Sequence, residues 1–456
     1  AMASTEDRAL REKMFKAYAS RGNNGNENDT KDLIMKMMAL RIEKANLLGY
    51  ENPAQMILHD KMAGTPEAVD AFLAGIMAPA VEKAKEEIVD MQAIMDEDIK
   101  AGLLPEGSKI EPWDWAYYAE KVRKAKYALD EEQTKPYFKM ENVRAGVFNT
   151  AHKLFGLNFE QLDSIPVYHP DVEGFKVTDA DGSLIGVLLT DYFPRSTKRG
   201  GAWMNNFVNQ EIVKGEEIRP VIVNVGNFSK PVDGKPGLLT LDEVETMFHE
   251  FGHALHGLLS QCTYKSVAGT SVARDFVELP SQIMENWAFQ DEVLAEYARH
   301  YETGEVIPAE LVAKINAAGT FNQGFMTTEL AAASILDLKW HMLESLEGVD
   351  PMEFEAAACK EMGLIDEIIP RYRSTYFAHI FSGGYSAGYY SYLWAEVLDK
   401  DAFELFMQKG IFDSETAMSF RRNVLEKGGS DEPMDLYRRF RGADPDPAAL
   451  TRARGL

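Results

Sequence analysis

The segment around residue 250 leaves the chain little choice but a buried helix. Thr240-Leu241-Asp242-Glu243 reads as a capping box, in which the threonine hydroxyl accepts from the third helical amide and the glutamate reaches back to the threonine amide. Val244, Met247, Phe248, Phe251, Leu255 and Leu258 then supply enough apolar surface for the helix to lie inside the protein, and Gly257 need not end it. His249 and His253 sit four residues apart on this helix, one above the other on the same face. That spacing lets two imidazoles share one tetrahedral ion. Glu250 follows the first histidine, about 100° round the helix, so it borders the ion rather than binding it. It is placed to take a proton from the attacking water, whose pKa a zinc ion lowers to roughly 7, and to carry it to a leaving amine. Two histidines on a helix are often mere neighbours; the full His-Glu-x-x-His string on a capped, buried helix points to metal chemistry.

A catalytic ion needs a third protein ligand and an open fourth position. His256 shares the helix face, but Leu259 stands where the longer metzincin pattern would place its third histidine, so His256 reads as a packing or supporting residue. Downstream, Asp275-Phe276-Val277-Glu278-Leu279-Pro280-Ser281-Gln282 opens a second helix carrying Ile283, Trp287 and Phe289. Glu278 near its start and Glu285 two turns further on are both candidates, and spacing alone favours Glu278 only slightly.

The rest of the chain supplies a frame. Residues 4–160 read as a helical wall and 161–456 as the region holding the chemistry, with a small sheet, the His249 helix and C-terminal helices. Asp29 or Thr30 can cap a helix to about Leu48 with Leu33, Met37, Leu40, Ile42 and Leu47 as its apolar stripe. Thr65-Pro66-Glu67 starts a longer helix toward Ile99, kinked at Pro79, with Phe72, Ile76, Val81, Ile88 and Met91 inward. Further helices are expected near Trp113–Leu129 and Glu141–Phe155. Between Pro166 and Phe228 the runs Ile185–Leu189 and Val221–Val225 are rich in β-branched residues and bounded by turns such as Asp181-Gly182, which predicts strands. No stretch of about 18 apolar residues exists to span a membrane, and the first twenty residues lack a signal pattern. A cytoplasmic location is expected, or a periplasmic one where an upstream signal has been removed, since the opening Ala1-Met2-Ala3 reads as an expression scar. A formal charge of −24 repels phosphate backbones and argues against nucleic acid. Cys262 and Cys359, far apart, form neither a disulfide framework nor a thiolate site and read as buried free thiols.

The string His249-Glu250-Phe251-Gly252-His253-Ala254-Leu255-His256 followed by Asp275–Gln282 resembles the thimet oligopeptidase family of zinc metallopeptidases. The likeness extends through Gly200-Gly201-Ala202-Trp203-Met204 and Arg371-Tyr372-Arg373-Ser374 and covers nearly the whole chain, although family members carry a longer N-terminal part. It implies Glu278 as the third ligand of one Zn(2+) per chain. It also implies a mainly α, zincin-type fold with a small β-sheet, two helical lobes and a deep central cleft that admits short unfolded peptides. By the same resemblance His379, Tyr385 and Tyr392 line the site and one or more of them stabilises the tetrahedral intermediate, while Gly383, Gly384 and Tyr389 touch substrate. A helix starting near Tyr385 would put Tyr385, Tyr389 and Tyr392 on one stripe. Gly200, Gly201 and Ala202 flank a predicted strand where a peptide backbone can lie close, since peptidases commonly take substrate as an added strand. Arg371, Arg373 and Arg274 are candidates for holding a C-terminal carboxylate.

The first functional reading is removal of C-terminal dipeptides from short peptides. An endo-acting oligopeptidase is the alternative within the family, and a peptide-binding protein with a non-catalytic zinc is the alternative outside it. A monomer is expected, or a chain associated with the N-terminal part that family members carry.

Overall fold

The computed structural model describes residues 2–129, 131–232 and 234–456. The chain folds into two compact units that are discontinuous in sequence. One comprises Ala1–Ala128, Ala318–Leu393 and Thr451–Leu456; the other comprises Leu129–Ala317 and Trp394–Leu450. Both the 4–160 and the 161–456 stretches are therefore shared between units.

The first unit is helical. Its longest element, Pro66–Lys100, begins as the sequence predicts: the Thr65 side chain accepts from the Ala68 amide, proline occupies the first turn, and the helix continues through Pro79. Ile76, Val81 and Met91 are buried, as expected. Against it packs the helix Gln323–His341. The two backbones come so close at Gly324 that a Cβ there would lie 2.4 Å from the Ala84 nitrogen. Asn322, with φ at 61°, makes no cap for this second helix. Glu87 does so instead from the neighbouring helix, accepting from the Gly324 and Phe325 amides at 2.8 and 2.9 Å. The helix Lys31–Leu47 forms where predicted, but with a different face inward. Ile34, Met38, Ile42 and Ala45 are buried, whereas Leu33, Leu40 and Leu47 are exposed. Apolar and charged residues are scattered around the helix with little segregation, so the docking of Ile34 and Met38 on Leu336 and Trp340 selects its face.

The second unit holds the predicted sheet. Its strands are β1 (Asn158–Gln161), β2 (Glu173–Thr178), β3 (Leu184–Asp191), β4 (Trp203–Val208), β5 (Glu211–Val213), β6 (Glu216–Ile218) and β7 (Val221–Val225). Five of them form a sheet in the order β1-β2-β3-β7-β4, with β5 and β6 a separate hairpin. Only β3 and β7 run parallel, in register Val187 to Val221 through Asp191 to Val225. β4 is an edge strand, and its Asn205, Phe207 and Val208 side chains are exposed. The helix Leu241–Leu258 packs on β7, β4 and β3. Its Phe251 meets Phe148, from the helix Met140–Phe155, and Phe159 of β1, with centroids 5.7 Å apart in both pairs. Each such buried ring contributes about 1.5–3 kcal/mol through loss of apolar surface from water.

Cys262 is buried and Cys359 half-buried rather than fully buried; both are free thiols. No helix among the described residues is long and apolar enough to cross a membrane.

The close approach at Gly324 makes a paired prediction. Gly324→Ala should destabilise the protein by about 1–3 kcal/mol, because the new methyl meets backbone that cannot give. Gly75→Ala, on the exposed face of the Pro66–Lys100 helix with nothing within 4 Å of an added Cβ, should stabilise it by about 0.5–1 kcal/mol. Urea midpoints of the two variants would show opposite signs; equal shifts would contradict the packing described.

Candidate metal centre

The capping box at Thr240 forms in full. The Thr240 hydroxyl accepts from the Glu243 amide at 3.1 Å, and the Glu243 carboxylate accepts from the Thr240 amide at 2.9 Å. From this fixed start the helix Leu241–Leu258 carries His249 and His253 at the predicted spacing. The next helical segments, Arg274–Val277 and Leu279–Ala288, meet at Glu278. Leu279–Ala288 is pressed against the histidine helix at Gly252, where a Cβ would fall 2.1 Å from the Pro280 oxygen and 2.6 Å from the Ser281 Cα. Glycine between the two histidines is thus what allows the second helix to approach. It also explains how a carboxylate 25 residues past His253 reaches it.

His249, His253 and Glu278 each bring one ligand atom to a common point, all within 4.8 Å of one another, and among the described residues this is the one such cluster. Glu278 Oε2 lies 3.4 Å from His249 Nε2 and 3.1 Å from His253 Nε2. Ligands on a tetrahedral ion with bonds of about 2.0–2.2 Å stand about 3.3 Å apart, so the donor set fits a divalent metal. The His249 side chain remains 21% exposed, which leaves the cluster approachable from solvent.

Glu285, the alternative third ligand by spacing, does something else. Its Oε1 lies 2.6 Å from His249 Nδ1, the ring nitrogen that faces away from the cluster. It fixes the ring and directs Nε2 toward the metal position. Ser281 donates to Glu278 Oε2 at 3.0 Å, and Asn224 on β7 donates to the Glu250 carbonyl at 2.7 Å, tying the sheet to the helix at the same level. His256 is buried with neither ring nitrogen bonded among the described residues, and burial followed by the nearby His253 lowers its pKa to about 3. It is a neutral packing residue.

Charge is distributed to suit a cation. Burial works against ionised Glu278, but His253 and His249 outweigh it and hold the carboxyl well below the usual range. Burial likewise opposes charge on His249, and Glu278 and Glu285 outweigh it and raise the ring well above an ordinary histidine. Glu250 is pushed up by burial, only partly offset by His249 and His253, and its Oε2 finds no hydrogen-bond partner among the described residues. A buried carboxyl with a higher proton affinity and an unused oxygen is suited to exchanging a proton with a small molecule beside it.

Comparison with known proteins gives the family. The model of peptidase family M3 matches residues 1–456. The chain belongs to that family. It is 44% identical over 460 residues to the dipeptidyl carboxypeptidase of Escherichia coli, using all of this chain and 66% of that enzyme, so it spans just under two thirds of its relative's length. Oligopeptidase A of Escherichia coli is 38% identical over 462 residues, again across the whole chain and 67% of the relative. Among solved structures, the M32 carboxypeptidase of Deinococcus radiodurans shares the fold at a TM-score of 0.57 and 14% identity, covering 99% of this chain and 80% of the other. The family read from the His249 and Asp275 strings is the family found.

The remaining sequence candidates lie as follows. Gly200 and Gly201 precede β4 with open space around both, Gly201 takes φ of 86°, and Asn227 donates to the Gly201 carbonyl at 2.6 Å. Ala202 leads directly into the strand. These belong to the same unit as the metal cluster. His379, Gly383, Gly384, Tyr385, Tyr389 and Tyr392 belong to the first unit. No helix begins at Tyr385: residues 386–390 form turns and the helix starts at Ser391. Gly388, able to bend freely, and Ala387 in a left-handed conformation break the helical path. The three tyrosines still assemble, with Tyr385 and Tyr392 stacked at 5.2 Å and Tyr389 5.2 Å from Tyr392. Burial raises the Tyr389 phenol, which keeps it protonated and able to donate. Arg373 is occupied by Glu355 at 2.5 Å and the Ala19 carbonyl at 3.1 Å. Arg371 pairs with Glu329 through one Nη and leaves much of its guanidinium at the surface. Arg274 opens the short helix before Glu278.

Glu285→Ala should weaken metal binding about 10- to 100-fold through loss of ring orientation, and Glu278→Ala should abolish stoichiometric binding. Competition with a chromophoric chelator measures both. Because a proton on His249 must leave before its nitrogen can ligate, apparent affinity should fall as pH is lowered, approaching tenfold per unit for each proton displaced. A pH-independent affinity would exclude His249 as ligand.

Proposed function

We propose that this chain is a zinc-dependent peptidase that removes dipeptides from the C-terminal end of short, unfolded peptides, binding one Zn(2+) through His249, His253 and Glu278. The observation that carries the reading is the convergence of those three donors beside a buried, unsatisfied Glu250 carboxylate. Zinc is the ion that two imidazoles and one carboxylate with an open fourth position suit best. When bound, the ion supplies Lewis-acid polarisation of the scissile carbonyl and a nucleophile drawn from water near neutral pH.

The protein's own residues do the rest. Glu250 accepts the proton of the attacking water and delivers it to the departing amine, which requires the ionised carboxylate first and the acid second. The β4 edge, reached through the open Gly200-Gly201-Ala202 turn, offers unpaired main-chain groups to an extended peptide, indifferent to its side chains. His379, Tyr385 and Tyr392 serve as donors to the tetrahedral intermediate, and Gly383, Gly384 and Tyr389 contact the substrate. Arg371, with the freer guanidinium, is the better candidate for the terminal carboxylate than Arg373. Support for exo action comes from the relative named dipeptidyl carboxypeptidase at 44% identity. The relative named oligopeptidase A at 38% favours a second reading, internal cleavage by the same centre. In this reading the enzyme acts in the cytoplasm, as a monomer.

Mass spectrometry of the products from one unblocked pentapeptide, and from the same peptide with a C-terminal amide, separates the readings. Exo action gives a C-terminal dipeptide and loses most activity on the amide, whereas endo action loses little. Glu250→Gln should retain zinc and lose about 100- to 10,000-fold in kcat. Tyr385→Phe and Tyr392→Phe should each lose about 100- to 1,000-fold with zinc content unchanged. Zinc-loaded protein that cleaves neither peptide would remove the enzymatic reading.

A further inference from the structure

Two buried residues and one half-buried arginine of the first unit form a chain beneath the tyrosine segment. Asp337, on the helix Gln323–His341, is 1% exposed. Its two carboxylate oxygens accept from the main chain of that segment: Oδ1 from the Ala387 amide at 3.0 Å and Oδ2 from the Tyr389 amide at 2.9 Å. His341, one turn further along the same helix and fully buried, places Nδ1 2.8 Å from Asp337 Oδ1 and 2.8 Å from the Asp337 carbonyl. On the far side of the ring, Arg41 Nη1 lies 2.8 Å from His341 Nε2. Because a guanidinium can only donate, Nε2 accepts from Arg41 and Nδ1 carries the proton toward Asp337, while the Ala387 amide, 3.3 Å from Nδ1, has the closer Asp337 Oδ1 as its acceptor. Arg41 then closes the circuit, since its Nη2 donates to the Ile380 carbonyl at 2.7 Å. The segment between Ile380 and Tyr389 is therefore held at both ends by one charge-assisted chain, Arg41 to His341 to Asp337.

What this chain holds is not a relaxed turn. Ala387 has φ of 47°, in the left-handed region that a residue with a Cβ adopts only when its surroundings hold it there. Asp337 grips the amide of that residue and the amide two places on. Tyr385 and Tyr389 flank it, and Tyr392 stacks on Tyr385. Charge-assisted bonds from a buried carboxylate to two main-chain amides are short and directional, so they fix the backbone from which the phenols project.

We infer that Asp337 is a positioning residue for the tyrosine donors, acting through the Ala387 and Tyr389 amides and itself set by His341 and Arg41. This rests on the peptidase reading above, which gives those tyrosines their work. Misplacing a catalytic donor by about 1 Å costs on the order of 100-fold in turnover, whereas uniform substrate binding is insensitive to it.

The test uses the full chain loaded with zinc and the variants Asp337→Asn, His341→Gln and His341→Leu. For Asp337→Asn, kcat on the pentapeptide should fall about 10- to 100-fold with KM within about threefold. Affinity for a phosphinic peptide, which mimics the tetrahedral intermediate, should fall in parallel with kcat/KM. His341→Gln keeps one donor and one acceptor in the chain and should stay near wild type, while His341→Leu, of similar bulk but without either, should follow Asp337→Asn. Hydrogen exchange at the Ala387 and Tyr389 amides should accelerate in the two impaired variants and not in His341→Gln. If Asp337→Asn does not fold, the two His341 variants decide. Wild-type kcat in a folded variant whose amides exchange faster would overturn the positioning role, and unchanged exchange would overturn the brace itself. Should the wild-type protein cleave no peptide, the peptidase reading is what fails, and the exchange rates still judge the brace.

Discussion

The contact between the Leu241–Leu258 and Leu279–Ala288 helices at Gly252 is the constraint from which the metal centre follows. A side chain of any size at 252 would meet the Pro280 carbonyl and the Ser281 backbone. With hydrogen there instead, the second helix drops against the first, and Glu278 at its entrance arrives within 3.4 Å of both imidazoles. The same closeness determines what Glu285 can do. Seven residues further on, it sits about 10 Å along the helix axis from Glu278, beyond the shared point, and it meets the outer nitrogen of His249 instead. Two carboxylates on one helix thus acquire different tasks by height alone. Asn224 on β7, bonded to the Glu250 carbonyl, adds the sheet as a third support.

The candidate metal centre and the tyrosine segment each rely on an acid, half-buried in the first and fully buried in the second, that fixes groups it does not resemble. Around the metal position Glu285 orients a ring. In the other unit Asp337 orients main-chain amides, with His341 and Arg41 behind it. In each case the acid is satisfied by a partner of opposite charge or by strong donors, so its desolvation is offset without leaving a lone charge inside the protein. The two regions differ in what is held. The histidine helix is regular and would keep its shape unaided, whereas the left-handed turn at Ala387 would relax without its acceptor.

Much of this could be read from residue order, because it depends on local chemistry. The Thr240 capping box, the Thr65-Pro66 helix start, the strands at 185–189 and 221–225, and the His249–His253 pairing are all dictated by neighbours within a few positions. Where the reading went astray, the deciding contact was remote. The face of the Lys31–Leu47 helix is chosen by Leu336 and Trp340, some three hundred positions away. The helix expected at Tyr385 fails because Asp337, distant in sequence, rewards a turn instead. Glu278 and Glu285 could not be separated by spacing, since only the packing at Gly252 distinguishes their heights. Asp337 and His341 did leave one local sign, an acid and a histidine one turn apart inside an apolar helix, where a buried pair needs a purpose.

The division of the chain also has a consequence for how the protein comes into being. The Pro66–Lys100 helix finds its main partner in Gln323–His341, and the whole of Leu129–Ala317 is translated between them. On the ribosome, the Pro66–Lys100 helix emerges with an apolar flank that Gln323–His341 covers only once that long interlude has been made. Exposed surface of this kind is what holdase chaperones bind and what aggregates when they are short. Biosynthesis therefore leaves the Pro66–Lys100 helix with that flank bare while everything between it and its partner is made.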